Sequence, residues 1–91
     1  MSKTLTIGDR SRDGLLEITD TNWDNNGTLR VTVRELVGTG SWVGGLPIER
    51  MRRLARRAIA HPEKTRSARV IRRWTHGDCD HVTFAVSRLD R

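Results

Sequence analysis

The segment from Ile48 to Ile59 constrains the fold more than any other part of the sequence. At the ~100° per residue of an α-helix, its apolar side chains fall on one arc and its arginines on the other. The apolar arc consists of Ile48, Met51, Leu54, Ala55, Ala58 and Ile59. Such a helix is stable only when its apolar arc packs against another element. The rest of the chain must therefore supply an apolar surface.

Two prolines mark the ends of this helix. Pro47 stands where a first helical residue is expected, because that position needs no backbone N–H. Pro62 ends the pattern, since the residue before a proline is pushed out of the α region. The sequence therefore predicts one amphipathic helix over Pro47–Ala60.

The apolar surface is predicted to be a small antiparallel sheet. In Leu29–Arg34 apolar and polar residues alternate, as in a half-buried strand. The preceding Asn26-Gly27 is a strong hairpin-turn signal. Thr4–Ile7 and Leu15–Thr21 alternate in the same way. Together these three segments predict an N-terminal β-meander.

The strand pattern returns after the helix, from Ser67 to Leu89. Val70 and Trp74 are expected on one face of a first arm, and Val82, Phe84 and Val86 on one face of a second. A loop over Gly77–His81 would place Trp74 opposite Phe84. With 91 residues, the chain has the length of one domain. We therefore predict a single α+β domain over residues 1–91, with a meander, one helix and a C-terminal β-hairpin.

The excess of positive charge is confined to the second half of the chain. Met1–Leu46 has five basic and six acidic residues, whereas Pro47–Arg91 has twelve basic and five acidic ones, for a net charge of +6. This imbalance indicates a localised basic surface. Arginine on such a surface suits contacts to phosphate or carboxylate groups rather than base readout. The residues expected to make these contacts are Arg50, Arg53, Arg56, Arg57, Arg69 and Arg73.

Two functions are compatible with this surface. The favoured one is a small nucleic-acid-binding accessory or regulatory protein that contacts the phosphate backbone of DNA or RNA. The alternative is a small non-enzymatic inhibitor or immunity-type protein, as encoded by phages and mobile elements against host defences, for example an anti-CRISPR protein. Its target would be an acidic protein surface in a larger nucleic-acid-handling complex.

Other site types have little support in the sequence. His76, Cys79 and His81 form a single cluster, whereas a structural zinc site usually has four ligands in two separated pairs. The Gly-rich segment Gly38–Gly45 matches neither the Walker A nor the dinucleotide-binding pattern. No nucleophile and base have a spacing typical of a catalytic pair. We therefore expect no metal, no cofactor and no enzymatic activity.

Location and oligomeric state follow from weaker signals. The single cysteine, Cys79, excludes an internal disulfide. No apolar run is long enough for a signal peptide or a membrane span. We therefore expect a cytoplasmic protein without a membrane partner. A homodimer is the favoured oligomeric state, with Trp42 and Val43 of the Gly-rich segment as the expected interface.

Overall fold

The computed structural model of the chain describes residues 4–12, 14–24, 27–36, 48–58, 65–76 and 79–88. Within these ranges, two strands are followed by one helix and two further strands. The elements are β1 (Leu16–Trp23), β2 (Leu29–Glu35), α1 (Ile48–Arg56), β3 (Thr65–His76) and β4 (Cys79–Arg88). The predicted α+β class and the predicted order of elements are therefore confirmed.

The four strands form one antiparallel sheet in the order β1-β2-β4-β3. The C-terminal hairpin thus joins the sheet through β4, and β2 and β4 become its centre. Apolar residues of these two strands face each other in the pairs Leu29–Val86, Val31–Phe84 and Val33–Val82. Residues paired directly across an antiparallel sheet share one face. This face is the apolar surface that the helix requires.

Helix α1 packs on that face and contacts all four strands. Met51, Leu54 and Ala55 are buried against it, and Ile48 packs at its margin.

The arginine arc also contributes one contact to the fold. Arg52 pairs with Glu49, and its Nε donates a 2.8 Å hydrogen bond to the carbonyl oxygen of Ala68 on β3.

The predicted first strand, Thr4–Ile7, is wrong. The Thr6 N–H donates to the Asp9 carboxylate at 2.8 Å, and the Asp9 N–H donates back to the Thr6 carbonyl at 3.0 Å. This tight turn includes Gly8 with φ +95°, and it breaks the alternation expected of a strand. As a result Leu5 is buried in the core while Ile7 is 56% exposed.

A β-bulge divides β3 into two parts. Val70 pairs with Phe84 of β4, and Arg72 pairs with the adjacent Thr83. Ile71 is therefore an extra residue with no partner on β4. Because side chains alternate with a period of two, one extra residue exchanges the two faces for the rest of the strand.

The bulge makes the predicted position of Trp74 wrong. Val70 packs against the core as expected, but Trp74 pairs with His81 and lies on the sheet face away from α1. The prediction that Trp74 shares a face with Val70 and lies opposite Phe84 assumed uninterrupted alternation.

Some predicted features lie outside the described residues. They include Pro47, the predicted helix end at Ile59–Ala60, and the Gly38–Gly45 segment with the expected interface residues Trp42 and Val43. In the part of the chain that the structure describes, no helix is both long enough and apolar enough to cross a membrane.

We expect Leu54→Ala to lower the free energy of unfolding by about 2–5 kcal/mol, because Leu54 is buried and its truncation leaves a cavity between α1 and the sheet. Chemical denaturation of the two proteins measures this. The control is the adjacent exposed Arg53→Ala, which should change stability little. Equal effects of the two substitutions would show that this helix face is not core.

Candidate nucleic-acid interface

A cleft of about 380 Å³ lies between α1 and the loop that precedes β1. It is lined by Ser11, Arg12, Leu16, Arg50, Arg53, Leu54 and Arg57. Two leucines provide apolar lining, and four guanidinium groups contribute positive charge. None of the described residues that line the cleft is acidic. The cleft is thus shaped and charged to receive an anion.

Helical geometry aligns three of these arginines. Arg50, Arg53 and Arg57 are spaced by three and four residues, and side chains at this spacing lie on one face of a helix. The spacing also places them beside the buried Leu54, so their stripe borders the helix–sheet contact. Arg57 lies one residue beyond α1 in a tighter turn, because its N–H donates at 3.1 Å to the Leu54 carbonyl, three residues back.

The fourth arginine is held by backbone pairing along the outer edge of β1. The Gly8 N–H donates to the Ile18 carbonyl at 2.8 Å, and the Ser11 N–H donates to the Leu16 carbonyl at 2.9 Å. The Ser11 hydroxyl in turn accepts from the Leu16 N–H at 3.0 Å. These bonds fix the loop beside the helix, and they bring Arg12 to the cleft.

Three of the four arginines in the cleft have no carboxylate partner within the described chain. Arg12, Arg53 and Arg57 make no ion pair among the described residues. Each guanidinium group carries a positive charge, so these groups repel one another across the cleft. A bound phosphate or carboxylate relieves this repulsion and accepts paired hydrogen bonds from a guanidinium fork.

The structure brings together only half of the predicted contact residues. Arg50, Arg53 and Arg57 line the cleft, whereas Arg56 is half-buried on α1 outside its lining. Arg69 and Arg73 were expected to act together, but the bulge at Ile71 places them on opposite faces of the sheet. Arg69 pairs with Ala85 on the face away from α1, and Arg73 pairs with Val82 on the helix side.

Arg12 was not predicted as a contact residue. It lies in the half of the chain with a slight acidic excess, and only the pairing of its loop with β1 brings it to the helix. Arg30 was also missed, although its alternation with the apolar residues of β2 already assigns it to the face opposite Val31.

A second basic surface lies on the sheet face away from α1, which no described element covers. Arg30 and Arg69 flank Ala85 there, one on each neighbouring strand. Arg34 lies on the same face, but Glu17 neutralises it in a 3.1 Å ion pair and also contacts Arg10 at 3.4 Å.

An aromatic stack adjoins these arginines. The indole of Trp74 is parallel to the His81 ring, with centroids 5.1 Å apart and an interplanar angle of 7°. The guanidinium carbon of Arg72 lies 4.7 Å from the Trp74 ring centroid. The ring of His76 meets that of His81 edge-on at 6.4 Å. Arg72, Trp74 and His81 therefore support one another by stacking.

His81 has a lowered pKa in this position. Partial burial, with smaller contributions from Arg34 and His76, lowers the pKa of His81 below its ordinary value. The opposing effect of Asp80 is weaker. The neutral imidazole of His81 is therefore favoured. Among the described residues, no group of three His, Cys, Asp or Glu side chains is placed to hold a metal ion.

No protein-family model matches the chain, and neither does any curated protein or solved structure with which it was compared. The features that bear on function are therefore the arginine cleft and the stacked, basic face of the sheet.

We expect the pKa of His81, measured by NMR titration of its ring protons, to lie below 6.5 and to rise in Arg34→Gln, because a positive neighbour is removed. The stability contribution has a definite sign. The unfolded chain binds the proton more readily, so the contribution is complete above the unfolded pKa and decreases as the pH falls below it.

Arg30→Gln is the matched control, because it removes the same charge from the same strand and face without being among the causes of the shift. An unchanged His81 pKa in Arg34→Gln, or an equal rise in Arg30→Gln, would contradict the assigned cause.

Proposed function

We propose that this protein is a small nucleic-acid-binding accessory or regulatory protein that holds the phosphate backbone in the arginine cleft. One observation carries the proposal: Arg12 converges with Arg50, Arg53 and Arg57 on a cleft that no described acidic residue lines. The net charge of +6 adds a long-range attraction for a polyanion.

The cleft suits recognition of the backbone rather than of base sequence. A nucleic acid surrounds itself with condensed counterions, and each phosphate neutralised by arginine releases part of them. This release supports binding to any sequence. Contacts to phosphate fix position and orientation on the nucleic acid, whereas sequence is read at the base edges.

An acidic protein surface is the competing occupant. A carboxylate accepts the same paired hydrogen bonds from a guanidinium fork as a phosphate does, as a protein-binding inhibitor would require. A nucleic acid differs in its dense, regular charge and its steep salt dependence. A competition experiment, in which an oligonucleotide and polyglutamate of equal charge compete for the protein, separates the two occupants. The inhibitor function would be favoured if polyglutamate displaced the oligonucleotide more readily than the oligonucleotide displaced polyglutamate.

We expect Arg53→Gln with Arg57→Gln to weaken binding to a fluorescently labelled DNA duplex, because two phosphate contacts are lost. The slope of log K against log salt should become shallower by about two. Anisotropy titrations at several salt concentrations measure both effects. The substitutions leave intact the backbone bond in which the Arg57 carbonyl accepts from the Leu5 N–H.

The control is Arg10→Gln, which removes one charge on the other face of the sheet, where Arg10 pairs with Glu17. It should leave the salt slope unchanged. Absence of duplex and single-strand binding by the unmodified protein at low salt would overturn the proposed function.

A further inference from the structure

The sheet face away from α1, here called the open face, has a shallow depression of about 540 Å³ at its centre. Its floor is the pair Thr32 and Thr83, whose hydroxyl oxygens are 2.9 Å apart. Both edge strands carry a bulge at this level. The register shifts between Ile18 and Asp20 in β1, and at Ile71 in β3. Each bulge adds a residue to the rim of the depression, since Thr19 and Ile71 both line it.

Two arginines form a seat for a phosphate beside this depression. Arg30 on β2 and Arg69 on β3 both pair with Ala85 on the strand between them. Strands two positions apart are separated by about 10 Å, and the small Ala85 side chain leaves a gap of about 240 Å³ between the two arginines. Neither Arg30 nor Arg69 makes an ion pair with another described residue.

Two carboxylates from the β1 side of the sheet lie near this seat: Asp24 lines the gap itself, and Asp20 lines the adjoining depression. Asp24 accepts a 3.0 Å hydrogen bond from the Thr28 N–H at the end of the β1–β2 connection. Asp20 lies on β1, across Thr32 from the arginines of β3. The β3 side of the open face is therefore its basic side, and an anionic chain would follow β3 and β4.

A stacking surface lies one row further along β3. Residues two apart on a strand are separated by about 7 Å. Thr83, which pairs with Arg72, is two residues from Ala85, which pairs with Arg69. The guanidinium of Arg72 is supported from below by the Trp74 ring, which rests in turn on His81. A guanidinium plane held in this way can stack on a nucleic-acid base as an aromatic ring does.

We infer that the open face binds a short single-stranded segment of DNA or RNA, with a phosphate between Arg30 and Arg69 and a base stacked on Arg72. This inference rests on the proposed nucleic-acid binding. It adds the open face as a second surface and specifies that this surface binds a single strand. Single strands are required because the bases of a duplex are already paired and stacked. Trp74 acts as a positioning residue that keeps the Arg72 guanidinium flat.

The test follows the indole N–H resonance of Trp74 by NMR, assigned by its loss in Trp74→Phe. We expect a short oligothymidylate to shift this resonance and to saturate it. An abasic oligonucleotide of the same length should bind on the order of tenfold more weakly, because base stacking is missing. A duplex should leave the resonance unchanged. A shift produced equally by the abasic strand, or by polyglutamate, would overturn the inference.

Neighbouring arginines supply a matched pair of variants. Arg72→Gln should weaken oligothymidylate binding at Trp74 on the order of tenfold, whereas Arg73→Gln removes the same charge from the helix side of the same strand and should have little effect. Arg30→Gln with Arg69→Gln should make the salt slope for a single strand shallower by about 0.7, because the pair holds one phosphate. Equal losses in Arg72→Gln and Arg73→Gln would overturn the inference. Circular dichroism confirms that each variant is folded.

The failures of the two proposals are distinguishable. If Arg53→Gln with Arg57→Gln weakens duplex binding but oligothymidylate does not move the Trp74 resonance, the cleft proposal stands and the open-face inference fails. If the Trp74 resonance responds as expected but the cleft substitutions do not affect duplex binding, the open-face inference stands and the cleft is not the backbone site.

Discussion

The contact between the apolar arc of α1 and the centre of the sheet determines where every other surface lies. The core is formed by side chains of β2 and β4 that point toward the helix, among them Val31, Val33 and Phe84, all fully buried. A sheet has two faces, and the described chain has a single helix to cover them. The arginine stripe of α1 is consequently turned outward beside the β1 loop, and the opposite face of the sheet is left to polar, basic and aromatic side chains.

The sequence predicted the parts of this arrangement that depend on uninterrupted periodicity. The apolar arc of the helix and the alternation in β2 and β4 correctly identified Met51, Leu54, Val31 and Phe84 as core. Strand order was not predictable, because the residues that pair β2 with β4 are separated by the whole helical region. The bulge at Ile71 left no local signal either. Without it, Trp74 would face α1, and the open face would lack its stacked aromatic ring.

The candidate site was predictable to a similar degree. Helical spacing alone places Arg50, Arg53 and Arg57 on one stripe, and the structure gathers them in one cleft. Arg12 reaches the same cleft through backbone bonds between its loop and β1, which no pattern of residue types reveals. The slight acidic excess of the first half of the chain concealed Arg12 further. Glu17 contributes to that excess, but it neutralises Arg34, contacts Arg10 and does not line the cleft.

Net charge is therefore a poor measure of the charge available for binding in this protein. Arg52 is committed to the fold through Ala68 and Glu49, and Arg34 is committed to Glu17. Arg53 and Arg57 in the cleft, and Arg30 and Arg69 on the open face, have no such partner among the described residues. The two groups lie on opposite faces of one sheet, too far apart to hold the same phosphate. This basic protein thus presents two separate arginine surfaces, and only the one with a stacked guanidinium has the chemistry that would distinguish an unpaired base from a backbone.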